Sequence, residues 1–421
     1  MKSIKAFLKE NIPFNISHSY FMGSAALVQI IPLITAPIIA RLYSPADFGA
    51  YAVFYGIVAI ISSISHLSLH NAILLAPSDK EAARAHLLSL FMSVASSLLV
   101  SFTLFFIPDH IIINLFGNSF LKLLPWLPLT LMLSGIYVCF YNWWIRMKLY
   151  KELGFNQLVL GITTAAVQIS IGLIGLDSIG FVWANILGYF MAVMLLIGIV
   201  IKDMKKINHC FDFNYAFATL SKYKNLAIFT TPAGLINSSS SYLPDFYINS
   251  LFGSNLLGQY SLANRMVNMP LGFFSNTVQD IFRQQASKEF NKKGNCKSTF
   301  NQFFGVMTIV SITILIPLIL ILPYIFPIIF GTQWEDAGSL IQPLILLISL
   351  RFISSPLSYI WIIKGHQKLD MFWQLGLLII TIVSFTIVPS SGVRSMLWNY
   401  SLYCGSWYGL CICISFYLSR N

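Results

Sequence analysis

The stretch KDMKKINHCFDFNYAFATLSKYK, residues 202–224, decides how the rest of the chain is read. It sets Lys202, Lys205, Lys206, Lys222 and Lys224 at the midpoint of 421 residues that are otherwise mostly long apolar runs. Working outward from it, apolar runs alternate with short polar gaps, and Lys and Arg fill every second gap. Of the 26 Lys and Arg residues, 21 fall on one side of this alternation and three on the other (Arg41, Lys122, Arg394). Two more, Arg265 and Arg351, fall inside apolar segments. Cytoplasmic loops of membrane proteins collect Lys and Arg. The pattern therefore predicts a multi-pass protein of the bacterial inner membrane with both termini cytoplasmic and 202–224 as a cytoplasmic loop.

Composition agrees. The chain is 57% hydrophobic and 10% charged, with a mean hydropathy of +0.73, and a spanning helix needs roughly 20 apolar residues. The expected spans are 16–41, 47–74, 84–107, 123–147, 153–175, 179–201, 225–252, 256–283, 299–323, 337–363, 369–388 and 395–418. Twelve spans leave short loops and no room for a soluble domain. The net charge of +11 is spread over the cytoplasmic loops, so topology explains it and no nucleic-acid partner is expected. The apolar run from Ile16 to Ala40 is too long for a signal-peptide core and reads as a retained first helix. Cys139, Cys404, Cys411 and Cys413 lie in apolar segments, and Cys210 and Cys296 in basic loops. That spacing suggests neither a metal site nor a disulfide framework.

The two halves resemble each other. At an offset of 209, Leu42, Tyr43, Gly49, Tyr51 and Val58 fall on Leu251, Phe252, Gly258, Tyr260 and Val267. Near 215, Pro108, Phe116-Gly117 and Pro128-Leu129 fall on Pro323, Phe330-Gly331 and Pro343-Leu344. At 217, Lys151, Phe155, Gln157 and Leu158 fall on Lys368, Phe372, Gln374 and Leu375. Six helices per half is an even number, so the repeats share one orientation and relate by an axis along the membrane normal, a layout used by transporters. The expected fold is an all-α membrane protein of about 12 helices in two six-helix bundles, 1–205 and 224–421, joined by a linker at 206–223.

Polar residues inside spans are costly and mark cavities or partners. In the eighth span Arg265, Asn268, Gly272, Ser275 or Asn276, and Gln279 share a helix face, and Pro270 is expected to kink it. In the seventh, Gly234, Ser238, Ser241, Asp245 and Asn249 form a stripe, with Pro232 and Pro244 as candidate breaks. The serines suit helix packing as well as cavity lining. Tyr51, Tyr55, Ser62 and His66 share a face of the second span, where His66 reads as a helix cap; the first span adds His18 and Gln29. Arg351 lies with Ser354 or Ser355 and Ser358 in the tenth. A guanidinium presents a rigid fork of donors suited to phosphate or carboxylate, so Arg265 and Arg351 favour an anionic cargo. A salt bridge between Arg265 and Asp245, or a carbonyl partner for Arg351, are the structural alternatives. Tyr137, Tyr141 and Trp144 form an aromatic stripe that packing or interface anchoring also explains.

The stretch from Ala40 to Tyr51 (ARLYSPADFGAY) resembles the segment joining helices 1 and 2 in bacterial polysaccharide-biosynthesis flippases of the Wzx type. Those proteins belong to the multidrug/oligosaccharidyl-lipid/polysaccharide exporter superfamily. Leu257 to Arg265 (LGQYSLANR), followed by Pro270, is similar to their helix 8 signature. Trp334-Glu335-Asp336-Ala337, Leu344 and Gly365-His366-Gln367-Lys368 look like their helix 10–11 region. The resemblance implies two bundles around a cavity lined by helices 1, 2, 7 and 8. It also implies an undecaprenyl-diphosphate-linked oligosaccharide, such as an O-antigen repeat unit, moved to the periplasmic leaflet by alternating access. Carried over, Arg265 would meet the diphosphate or an acidic sugar, with Asn268, Arg351, Arg41 and Tyr51 as further substrate contacts. Arg41 beside Asp47 is equally placed for a local salt bridge.

The competing reading is a cation-coupled multidrug exporter of the same architecture, which should hold buried acids rather than arginines. An enzyme is not expected: the outer gaps are short, and no Ser/His/Asp set, Gly-rich phosphate loop or metal-spaced His cluster occurs. No cofactor is expected beyond coupling to Na⁺ or H⁺, for which Asp245 is the candidate. A polysaccharide polymerase or ligase is a further candidate partner.

Overall fold

The computed structural model of the chain describes residues 16–207, 219–387 and 392–420. Every regular element among them is helical. The first half contains α1 (Ile16–Leu42), α2 (Pro45–Ser65), α3 (His70–Leu75), α4 (Asp79–Phe106), α5 (Asp109–Phe116), α6 (Asn118–Leu121), α7 (Leu127–Arg146), α8 (Tyr150–Ile174) and α9 (Ile179–Ile207). The second contains α10 (Thr231–Lys293), α11 (Lys297–Val310), α12 (Ile316–Phe330), α13 (Glu335–Ile341), α14 (Ile345–Leu357), α15 (Ile360–Ile363), α16 (Gln367–Thr386) and α17 (Val393–Arg420). Nine stretches among the described residues are long and apolar enough to cross a membrane. With α1 and the two arms of the broken helix α10, they make up the twelve spans of an all-α, multi-pass membrane protein. Apolar side chains stay exposed along their flanks, among them Phe102, Phe105, Ile314 and Ile328. Backbone polar groups find no water in the bilayer core, so each span must satisfy its own as a helix.

The helices begin and end where local chemistry allows. Ser44 caps α2, accepting from the Asp47 amide while the Asp47 carboxylate accepts from the Ser44 amide (3.0 Å), and Pro45 fills the first turn. The other Asp47 oxygen accepts from the Ser178 amide (2.9 Å), which ties this corner to the start of α9. At the opposite end of the bundle Arg146 donates to the Ile73 and Ala76 carbonyls (2.9 and 2.8 Å) and to Asp79 (3.0 Å), locking the α3–α4 turn onto α7.

Two expectations need correction. The span expected at 47–74 is not continuous: α2 stops at Ser65, His66 is its C-cap, and Leu67 and Ser68 turn the chain with φ of 47° and 54°. The seventh and eighth spans are the two arms of α10, separate helices that meet at a kink at Gly253 (φ 85°), in the gap between the two expected spans. Pro232, Pro244 and Pro270 lie within α10 without non-helical backbone. Near Pro232 the adjustment is made upstream, by a π-turn at Leu226–Thr230; a second, Ser311–Leu315, precedes Pro317 in the same way. A wider turn accommodates the carbonyl that proline cannot pair.

By contacts the chain gathers into two compact units, 16–258 and 259–421. In the first, α8 packs on α1 and α9, and α7 on α4 and α9; in the second, α17 packs on α14 and α16. The expected linker, 206–223, falls mostly outside the described residues. The repeat is written in the backbone. Gly117 and Gly331 end α5 and α12 with nearly equal dihedrals (φ 89°, ψ 166° and φ 106°, ψ 162°). Lys148 and Gly365 are left-handed at the 217-residue offset (φ 58° and 76°), as are Gly175 and Gly392 (80° and 87°).

Within the first unit, the repeat contacts itself. A Cβ added to Gly49 would fall on the Ser254 carbonyl, and one added to Gly258 on the Pro45 carbonyl. Both pairs are related by the same 209-residue offset, so α2 and α10 cross with matching sides.

Candidate functional site

In the 16–258 unit, four helices bring tyrosines to one place. Tyr51 and Tyr55 stand four apart on α2, Tyr137 and Tyr141 four apart on α7, Asn185 and Tyr189 four apart on α9, and Tyr242 and Asp245 three apart on the first arm of α10. Gly56 lets α10 close in, since a Cβ there would sit 3.2 Å from Phe246 and 3.4 Å from Tyr242. Tyr55 meets Tyr51 and Tyr242 at centroid distances of 6.0 and 6.1 Å, and Tyr137 meets Tyr189 at 5.5 Å and Tyr141 at 5.8 Å. Tyr189 lies within electrostatic range of Tyr51, Tyr55, Tyr137 and Tyr242. Tyr51 is fixed, stacked on Phe181 (4.8 Å, 20°) and accepting a hydrogen bond from Asn185 (2.7 Å). The other rings keep accessible surface, Tyr55 most of all at 40%.

Asp245 sits beside Tyr242 at this surface. It is surrounded by protein yet half-exposed, the geometry of a residue lining a concavity. Among the described residues of its own unit no hydrogen-bond or ion-pair partner is found for it. The serines of the same arm are spent locally: Ser240 and Ser241 donate to the carbonyls four residues back (2.8 and 2.9 Å). Asn249 donates to the Phe116 carbonyl (3.4 Å) and holds the arm to α5. That stripe is thus mostly structural, with Asp245 its remaining chemical group.

The 259–421 unit carries Arg351 and Arg265, while Arg41 belongs to the 16–258 unit. Arg351, in α14, is deeply surrounded yet exposed, and Tyr260, Tyr400 and Tyr408 ring it. Its helix is held in place by its neighbour α17: Ser401 accepts from the Leu347 amide (3.1 Å), and farther along the Trp361 indole donates to Ser415 (2.9 Å). Arg265 is exposed on the second arm of α10. Asn268 shares its face, but its amide nitrogen donates to the Asn264 carbonyl (2.9 Å) and side-chain oxygen, which leaves its own oxygen as the group it offers a ligand. Arg41 is exposed at the end of α1. Ser44 and Ser178 occupy the Asp47 carboxylate, so that acid's work is structural.

The side chains therefore sort by unit. Tyr51 and Asp245 belong to a polar aromatic surface, and Arg351 to a cation ringed by phenols. Sequence reasoning missed Tyr189 and Tyr242 in the first and Tyr260, Tyr400 and Tyr408 in the second. The stripe of Tyr137 and Tyr141 was visible, but no periodicity joins one helix's stripe to another's. His18 lies where only the backbone is described. Among the described residues, no group of three or more His, Cys, Asp or Glu could hold a metal ion.

Comparison with known proteins places this geometry. A family model described as a polysaccharide biosynthesis protein matches residues 38–339. The chain is 21% identical over 370 residues to the lipopolysaccharide biosynthesis protein WzxC of Escherichia coli, covering 84% of this chain and 71% of that one. It is 21% identical over 184 residues to the teichuronic acid biosynthesis protein TuaB of Bacillus subtilis, covering 44% and 38%. The chain thus spans well under half the length of the latter. Among solved structures, the lipid II flippase MurJ in an inward closed conformation superposes with a TM-score of 0.71 at 15% identity, covering 94% and 87%. That likeness is one of fold.

Proposed function

This chain belongs to the polysaccharide biosynthesis protein family, and from that premise we propose that it is a flippase for a lipid-linked oligosaccharide. The cargo is a surface-polysaccharide repeat unit of the O-antigen kind on undecaprenyl diphosphate, moved from the cytoplasmic to the periplasmic leaflet of the inner membrane by alternating access. Six spans on either side of the 206–223 linker form the two bundles, and both ends of the chain face the cytoplasm. The work is transport rather than catalysis.

The observation that carries this reading is Arg351, a guanidinium deep in an apolar span that keeps accessible surface among three phenols. A fixed charge inside the membrane costs several kcal/mol and is retained where it meets a ligand. A diphosphate is the anion whose oxygens fit its fork of donors. Arg265 offers the same chemistry from α10, and Asn268 and Arg41 offer hydrogen-bonding groups of their own. Asp245, without a partner in its unit, is the place for a coupling Na⁺ or H⁺. A drug exporter of the same fold would carry cationic cargo, which these arginines would repel. A polymerase or ligase that receives the product is the natural protein partner.

The test is surface-glycan display in a deletion strain complemented with wild type or Arg351→Ala at matched membrane levels. Deletion should abolish display and accumulate lipid-linked repeats, and the variant should fail to restore it. Full glycan display in the deletion strain, together with new sensitivity to cationic drugs, would replace the flippase with the exporter.

A further inference from the structure

We infer that the tyrosine surface of the 16–258 unit recognises the sugar rings of the cargo, and that those rings are uncharged or amino-acylated hexopyranoses rather than uronic acids. The inference rests on the proposed transport of a lipid-linked oligosaccharide and adds where, and what kind of, sugar is read.

Three observations converge. The first is unused hydrogen-bonding capacity. Tyr51 has its phenol oxygen engaged by Asn185. Among the described residues, the hydroxyls of Tyr55, Tyr137, Tyr189 and Tyr242 have no hydrogen-bond partner. A phenol is both donor and acceptor, and these hydroxyls are accessible rather than sealed in the packing. Four such groups at one place match a ligand dense in hydroxyls.

The second is ring presentation. Tyr55 and Tyr242 meet edge to face (69°) and leave ring surface open, and Tyr137 and Tyr189 are tilted at 50°. An aromatic face is electron-rich and attracts the slightly positive C–H groups that line one side of a pyranose. A tyrosine wall thus offers stacking for the C–H face and hydroxyls for the equatorial O–H groups. Lipid anchoring does not account for it, because lipid-interface tyrosines stand singly at helix ends. These come from the interiors of four helices and face one another.

The third is charge. The ionisable side chain lying against Tyr242 at this surface is the Asp245 carboxylate. In the state in which Asp245 is ionised and holds no coupling ion, a second carboxylate brought beside it would repel it at low dielectric, so a uronic acid is disfavoured, while hydroxyl and acetamido groups can donate to it.

The experiment uses the full-length protein in lipid nanodiscs with two probes, undecaprenyl diphosphate and undecaprenyl diphosphate carrying one N-acetylglucosamine. Wild type should bind the sugar-bearing lipid at least about tenfold more tightly than the bare one. Tyr242→Leu and Tyr189→Leu should bring the two affinities within about twofold of each other while leaving that for the bare lipid unchanged, which also reports that the variants fold. Tyr242→Phe, which keeps the ring and loses the hydroxyl, should fall between. Equal binding of both lipids by wild type, or a preference that survives both leucine variants, overturns the sugar site and leaves the flippase standing. Failure of wild type to bind either lipid overturns the flippase reading and this inference with it.

Discussion

Tyr51 and Tyr260 occupy equivalent places in the two repeats, 209 residues apart, and keep different company. Tyr51 stacks on Phe181 and accepts from Asn185, in a neighbourhood of further tyrosines and one acid. Tyr260 is buried beside Tyr400 and the Arg351 guanidinium. The backbone plan is repeated closely enough for three pairs of positive-φ residues to coincide. Apart from the Tyr51–Tyr260 pair, the side chains given a chemical role here are not repeated. A duplicated scaffold must conserve what packs, while its exposed concave surfaces are free to diverge. Here the 16–258 unit gathers tyrosines beside Asp245, and the 259–421 unit sets Arg351 among tyrosines.

The comparison can be broken most severely at the helix crossing. Gly49→Val and Gly258→Val each drive a side chain into a backbone carbonyl, a neighbour that cannot rotate away. Each should cost about 3 kcal/mol or more, roughly 6–12 °C in melting temperature for units of this size. Because the contacts mirror one another, the two losses should match, as measured by thermal unfolding in detergent. A benign Gly258→Val would mean that the crossing is not a repeated packing element.

Next come the cations. Arg351→Leu removes a charge from the membrane interior, so folding should hold or improve while glycan display falls by at least about tenfold. A structural arginine would show the opposite pattern. Arg265→Ala should weaken display in the same direction and by less, since the residue is more open. In the other unit, Asp245→Asn should abolish dependence of transport on an imposed Na⁺ or H⁺ gradient without changing membrane levels. Transport that remains gradient-dependent in this variant removes Asp245 from coupling.

Smaller effects test how strictly the backbone repeats. Lys148 holds a left-handed conformation that its counterpart Gly365 adopts without a Cβ penalty. Lys148→Gly should stabilise by up to about 1 kcal/mol and Gly365→Ala destabilise by a similar amount, read by unfolding midpoints. The smallest concerns pH. Burial opposes ionisation of Glu289, but the Thr299 hydroxyl (2.6 Å) and amide (2.8 Å), the Ser298 amide and the Lys293 charge outweigh it and hold the carboxyl below its usual range. A depressed folded-state pKa stabilises above the unfolded value and loses that contribution as pH falls through the folded one. The wild-type advantage over Glu289→Gln should therefore be full near neutrality and be lost as pH falls below the ordinary carboxylate range through the lower folded-state value.

The spans were legible because a helix in lipid must be apolar over a fixed length, and the bilayer imposes that on sequence directly. The break at Gly253 was legible as the gap between two expected spans. Prolines drew attention as breaks, yet π-turns upstream of Pro232 and Pro317 absorbed what they required. Arg351 could be singled out because a cation among apolar neighbours is costly wherever the chain folds. Its tyrosine neighbours could not, since Tyr260 comes from α10 and Tyr400 and Tyr408 from α17, helices far apart in sequence.

The same division runs through the whole protein. Sequence by itself determined that the chain crosses a membrane twelve times, that it repeats, and that it keeps arginine where lipid would reject it. Those properties follow from solvation and periodicity, which act residue by residue along one helix. Tertiary structure alone decided that Tyr55, Tyr137, Tyr189 and Tyr242 share a surface, and that Asn249 and Asp47 are tied to neighbouring backbone while Asp245 has no hydrogen-bond partner among the described residues of its unit. Whether a polar side chain is satisfied depends on what another helix brings to it, and that is a property of packing in space.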